Sequence, residues 1–157
     1  MQLVGLTVGV PLALYVHRRG LRIEERLTSE LLIANLVSEV DVNVSIANSY
    51  LETAIESLAT DKLHFQDVAL DNFLADFNHT AFGSTELSNR IGAYRSILQD
   101  VVSRMSLIES FIFERYFVQS EDDIGAHTLL NEYMIQGVSD LKGAAVQLSE
   151  ELHRVSK

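Results

Sequence analysis

The sequence predicts an all-α protein: an antiparallel up-down helical bundle with long heptad-patterned helices, preceded by a short N-terminal apolar helix that reads as a membrane anchor. Three observations predict it. Leu87, Ile91, Tyr94, Leu98, Val101, Met105, Ile108 and Ile112 follow one another at alternating spacings of four and three. This pattern lines one side of a helix and packs it against others. Ile33, Val37, Val40, Val44, Ala47, Leu51, Ala54 and Leu58 do the same. Finally, one Pro and 8 Gly in 157 residues leave few places for a helix to break.

A chain of this length forms one domain and can bury its own core. Hydrophobic residues make up 47%, which argues against disorder. Cys is absent, so disulfides, thiolate chemistry and Cys-based zinc sites are excluded. The net charge of -10 is unevenly placed. Residues 1–26 hold Arg18, Arg19, Arg22 and Arg26 against Glu24 and Glu25, a balance of +2, and the rest carries -12. An acidic body repels phosphate backbones, so nucleic acid is not an expected partner. Basic residues beside an apolar segment suit an anionic lipid surface instead.

Taken in order, residues 1–20 read as the anchor with its basic stop. Leu3, Val4, Gly5, Leu6, Val8, Gly9, Val10, Leu12, Leu14 and Val16 supply its apolar surface, in a run of 14 residues without charge. A spanning helix needs roughly 20 such residues, so the run reads as a short or N-terminally incomplete anchor. A signal peptide would carry its charges before the apolar core and a cleavage site after it. Here Arg18, Arg19 and Arg22 follow, as expected lipid-headgroup contacts. Pro11 is tolerable in a membrane helix, and Gly5, Gly9 and Ala13 allow close helix approach. The positive-inside rule then places the body in the cytoplasm. The alternative is a helix buried in a soluble bundle.

Residues 21–157 read as one bundle domain with helices at about 21–59, 63–78, 85–118 and 121–155. The first carries Val40, Val44, Leu51 and Leu58 toward the core, while Glu39, Asp41, Asn43, Asn48, Glu52 and Glu56 lie off the stripe and should be solvated. Val40 to Ile46 also alternates, but the helical stripe runs through it. Thr60 or Asp61 can cap the short second helix, which points Phe65, Val68, Phe73 and Phe77 inward. Gly83 permits a turn, with Ser84 as N-cap. The third helix packs through Leu87, Ile91, Leu98, Val101, Met105, Ile108 and Ile112. Its end is apolar almost all round, so Phe111, Phe113, Tyr116 and Phe117 form a candidate partner surface. Ser120 to Asp123 suits a helix start. The last helix packs through Leu130, Met134, Gly137, Leu141, Ala144, Leu148 and Leu152; Gly137 and Ala144 let a neighbour come close.

No chemistry-bearing motif stands out. A di-iron bundle needs Glu-x-x-His pairs and further Glu on facing helices. Glu150 with His153, and Asp76 with His79, sit near helix ends and off the stripes. Gly-x-Ser-x-Gly and Gly-rich phosphate loops are missing. His17, His64, His79, His127 and His153 are scattered. No catalytic residue, metal or cofactor is expected. Asn43 and Asn78 each start a glycosylation sequon, and both read as coincidence in a cytoplasmic body.

The order of parts resembles a loosely defined class of small prokaryotic proteins of unknown role, on Leu3–Arg19, Glu39 with Asn43, Leu63-His64-Phe65, and Leu87 through Tyr94. That likeness implies no activity. The expected function is a non-enzymatic, membrane-anchored scaffold or sensor that contacts lipid and other protein chains, self-associating through its heptad helices. A subunit of a larger membrane or particle assembly is the alternative, and a helical metal protein the second alternative.

Overall fold

A computed structural model describes residues 3–54, 63–76, 85–117 and 123–155; side chains are described from His17 onward, apart from those of residues 18, 22, 25, 76, 113–117, 123, 124 and 127. The described residues form four α-helices and no strand: α1 (Leu3–Thr53), α2 (Val68–Asp76), α3 (Thr85–Phe117) and α4 (Asp123–Val155). Residues 63–67 are not helical and lead into α2.

Cross-links between helices fix the directions. Asn131, early in α4, donates to the Ala54 carbonyl at the end of α1 (2.8 Å), and Ser149, late in α4, donates to Asp41 (3.3 Å). These two helices are therefore antiparallel. Arg104 reaches the Tyr133 carbonyl (2.7 Å), and Arg90 donates to Gln147 further along, so α3 and α4 are antiparallel too. Gln66 meets Asn43, while Ala69 and Leu70 meet Glu39, so the return segment and α2 descend along α1. The bundle runs up, down, up, down. Its second position is shared by the non-helical residues 63–67 and a nine-residue helix.

The core is a single cluster drawn from all four elements. In α3, Leu87, Ile91, Tyr94, Leu98, Val101 and Ile108 are buried, and Met105 and Ile112 half-buried. In α4, Met134, Gly137, Leu141, Leu148 and Leu152 are buried, and Leu130 and Ala144 half-buried. In α1 the phase differs from the one the apolar spacing suggests. Ile33, Val40, Ala47 and Ala54 are buried, but between them lie Leu36, Asn43 and Tyr50 rather than Val37, Val44 and Leu51, which are half-buried. Leu58 falls outside the described residues. The expectation that Glu39 and Asn43 are solvated is wrong: both are buried. Asp41 and Glu52 are exposed, and Asn48 is half-buried.

Three boundaries also differ. The first helix ends at Thr53 rather than near 59. The second begins at Val68 rather than 63, with Leu63 and Phe73 buried, Phe65 half-buried and Val68 turned out to solvent. Finally, α1 crosses position 20 without a break, so apolar run, basic group and bundle share one helix of about 77 Å. Caps at Thr60, Asp61, Ser84 and Ser120 and the side chains of Phe77, Phe113, Tyr116 and Phe117 lie outside the described residues; Phe111 is half-buried.

Gly137 has a definite neighbour. A Cβ there would sit 3.0 Å from Arg104 Cδ and Nη1. Arg104 lies across that space, held by Asp100 (2.7 Å) and the Tyr133 carbonyl, with its guanidinium 4.0 Å from the Tyr133 ring centroid. Gly143, on the same helix, has nothing within 4 Å of a built Cβ. Replacing a helical Gly by Ala normally stabilises by about 0.5–1 kcal/mol. Gly143→Ala should therefore raise the thermal midpoint, while Gly137→Ala should cancel that gain by displacing Arg104. Paired melting curves test this, and equal stabilisation would show that Arg104 is not held over Gly137.

Candidate functional site

The strongest polar constellation is internal. Asn43 projects from α1 into the core. Its amide nitrogen donates to the Gln66 carbonyl and to the Tyr94 hydroxyl, both at 2.7 Å, and its Oδ1 accepts from the Gln66 N–H at 2.8 Å. One turn earlier, Glu39 accepts from the backbone N–H groups of Ala69 (2.6 Å) and Leu70 (3.0 Å). These are the second and third residues of α2, whose N–H groups have no partner inside their own helix. Asp67 holds the usual capping position, yet the acceptor comes from another helix. A carboxylate there is also favoured by the helix dipole. Every donor and acceptor of the Asn43 amide is satisfied, as burial requires.

Tyr94 closes this cluster from α3. Its pKa is pushed up to about 12, first because burial disfavours the phenolate and further by the negative charges of Glu39 and Asp67, against the lowering effect of the Asn43 bond. The phenol is neutral and structural, with no route to act as a base near neutral pH. Glycosylation at Asn43 is incompatible with this burial, and Asn78 lies outside the described residues.

Elsewhere among the described residues the carboxylate, His and Ser side chains do not assemble into a catalyst. Ser149 lies between Asp41 and His153, donating to Asp41 (3.3 Å) with His153 Nδ1 at 3.5 Å. In a nucleophilic triad the His must sit between Ser and acid, and here His153 Nδ1 is instead 2.8 Å from the Ser149 carbonyl oxygen. Among the described residues no group of three or more His, Asp or Glu could hold a metal ion. His79 and Asp76 are outside those whose side chains are described. Among the described residues the Tyr50 hydroxyl and Asn131 Oδ1 are buried without a hydrogen-bond partner, and burial raises the Tyr50 pKa.

Two surface grooves flank α2. One, of about 580 Å³, is bordered by Leu31, Leu32 and Asn35 of α1 and by Val68 and Asn72 of α2. The other, of about 470 Å³, lies between Asp67 and the α2 residue Asp71 on one side and Arg95, Gln99 and Val102 of α3 on the other, with Arg95 3.5 Å from Asp71. Both are shallow and mixed in polarity, without a convergent polar set that would orient a small ligand.

The third feature is the part of α1 that precedes the core. From His17 to Leu31 every residue whose side chain is described is exposed except half-buried Ser29, and Ile33 is the first core residue. Leu21, Ile23, Leu27 and Leu31 are among the exposed apolar residues, at 45%, 53%, 60% and 61%. Arg19 is exposed, and Arg26 pairs with Glu30 at 2.8 Å. The anchor residues Leu3 to Val16 belong to this helix, but their side chains, with those of Arg18 and Arg22, are outside the described set. No helix among the described residues is long and apolar enough to cross a membrane. No family model, curated protein or solved structure matches the chain.

The clamp sets a measurable ledger. Asn43→Leu removes three hydrogen bonds and leaves the part-buried Gln66 N–H and carbonyl without their side-chain partner, which should cost about 2–3 kcal/mol. Tyr94→Phe removes one bond and should cost about 1 kcal/mol. Because the folded-state pKa of Tyr94 is above its unfolded value, its contribution is full below pH 10 and is lost as pH rises from 10 toward 12. Denaturant midpoints at pH 7 and pH 11 should show a larger alkaline loss for the parent than for Tyr94→Phe; equal losses would place the phenol outside the cluster.

Proposed function

We propose that this chain is a non-enzymatic, membrane-attached interaction protein of scaffold or sensor type, in which the N-terminal end of α1 inserts into lipid and the bundle presents surfaces to partners. The observation that supports this most is the continuity of α1. One helix carries the uncharged run Leu3–Val16, then the arginines, then an exposed stretch, before it reaches the core at Ile33. A run of 14 residues is about 21 Å as a helix, against a hydrocarbon core of roughly 30 Å. Attachment therefore rests on insertion together with arginine contacts to anionic headgroups. The arginines lie on the body side of the run, and by the positive-inside rule the acidic bundle faces the cytoplasm.

The groove beside exposed Leu31 and Val68 favours a second reading, a subunit of a larger assembly that covers it.

Membrane fractionation of the full chain beside a version lacking residues 1–20, each washed with alkaline carbonate, tests the first reading. Retention of the full chain alone in the pellet is expected. If both forms stay soluble, the apolar run serves packing rather than attachment. Should the shortened form then aggregate, the assembly reading gains; a well-behaved monomer counts against it.

A further inference from the structure

We infer that the exposed stretch of α1 pairs in parallel with the same stretch of a second copy of this chain. This deepens the proposed function by naming the partner of the α1 surface.

Gly20, Ile23, Leu27 and Leu31 succeed one another at spacings of three, four and four, so they share one side of the helix. All four are exposed, and a Cβ on Gly20 would meet nothing within 4 Å. A glycine in an exposed helix costs stability relative to Ala, and no described residue of its own chain makes use of it. The heptad faces of α3, α4 and the bundle part of α1 are consumed inside one chain. Among the described residues Gly20, Ile23 and Leu27 are open to solvent with nothing packed on them, and Leu31, next on that face, borders the α2 groove.

Position on the helix permits a second copy. The buried row of α1 is Ile33, Leu36, Val40, Asn43 and Ala47. Extrapolated at 3.6 residues per turn, the Ile23–Leu27–Leu31 face lies on the opposite side. Alongside the bundle it continues through Ala34, Ser38, Asp41 and Ser45, all exposed, with Ser38 on the rim of the α2 groove and Asp41 accepting from Ser149 of α4. The pairing therefore belongs to the stretch before Ile33, where two copies can lie together while their bundles diverge.

Charge selects the direction. With Ile23 and Leu27 as seam positions, Arg19 and Glu24 occupy opposite flanks, five residues apart. In a parallel pair each flank faces the other flank of the partner, which sets Arg19 against the second copy's Glu24 twice over. Antiparallel pairing would bring like flanks together and lose both contacts. Neither residue has an ion pair among the described residues. Arg26, the next residue on the arginine flank, is already held by Glu30.

The absence of Cys makes the test direct. Single Ile23→Cys, Leu27→Cys and Thr28→Cys variants of the full chain are oxidised in vesicles of phosphatidylcholine and phosphatidylglycerol, with circular dichroism checking the fold. Ile23→Cys and Leu27→Cys should form disulfide dimers, while Thr28→Cys, off the seam, should stay monomeric. Adding Arg19→Glu to the Leu27→Cys chain should slow its dimerisation by roughly threefold to tenfold, and Glu24→Arg on top should restore it. No dimer at 23 and 27, equal dimer at 28, or no rescue overturns the pairing. Pelleting of the same samples reports membrane attachment separately: dimers that fail to pellet defeat the attachment reading alone, and pelleted monomers defeat the pairing alone.

Discussion

The structure depends on a buried carboxylate and a buried amide one turn apart on α1. Glu39 and Asn43 hold a chain segment that cannot hold itself. Residues 63–67 make no helix, and α2 has only nine residues, shorter than an isolated helix needs to persist in water. Glu39 satisfies two N–H groups at the start of α2, while Asn43 takes both backbone groups of Gln66. Together they turn a connection into the second element of the bundle. Tyr94 then ties α3 to the same point through the Asn43 amide. The core of apolar residues would pack in several registers at similar energy, since aliphatic contact is non-directional. Directional bonds to one backbone position remove that freedom.

That constraint also explains where the sequence is readable and where it is not. In α3 the buried residues are those its four-three spacing picks, because one apolar row faces the bundle and nothing polar interrupts it. In α4 the spacing picks Met134, Gly137, Leu141, Leu148 and Leu152, but Val138, Ala145 and Glu151 are buried beside them and Leu130 and Ala144 are only half-buried. In α1 two rows share Ile33, Val40, Ala47 and Ala54, and differ only at the positions between. Val37, Val44 and Leu51 make one row wholly apolar; Leu36, Asn43 and Tyr50 make the other. Counting hydrophobic residues favours the first, yet α1 buries the second. The partner of Asn43 is a backbone amide 23 residues away, and no periodicity records it. The same blindness moves the start of α2. Leu63, Phe65 and Val68 look helical as a row, but the capping carboxylate that fixes the helix start comes from Glu39, distant in sequence.

Among the candidate sites, the legible part was the order of segments along α1: apolar run, arginines, then core. What the sequence could not separate was the exposed stretch from the bundle, since Leu21, Ile23, Leu27 and Leu31 are as apolar as the residues that follow. Only the place where the core begins, at Ile33, divides them. Ser149 and His153 stand in roles opposite to those of a nucleophile and its base.

A single uninterrupted helix has a mechanical consequence. Rotation or translation of α1 outside the bundle carries directly to Glu39 and Asn43, because no turn or linker lies between Leu3 and Thr53 to absorb it. The core residues Ile33 and Leu36 come first, and the Glu39 and Asn43 bonds follow, holding α2 and α3 at once. Whatever fixes the N-terminal end of α1, a lipid surface or a second copy, therefore also fixes the orientation of the α2 grooves beside Val68 and Arg95. A partner docking in either groove meets a surface whose direction is set about 45 Å away along the helix. If α1 is the point of attachment, as proposed, attachment and presentation share one helix, and the buried Glu39–Asn43 pair is the joint that couples them.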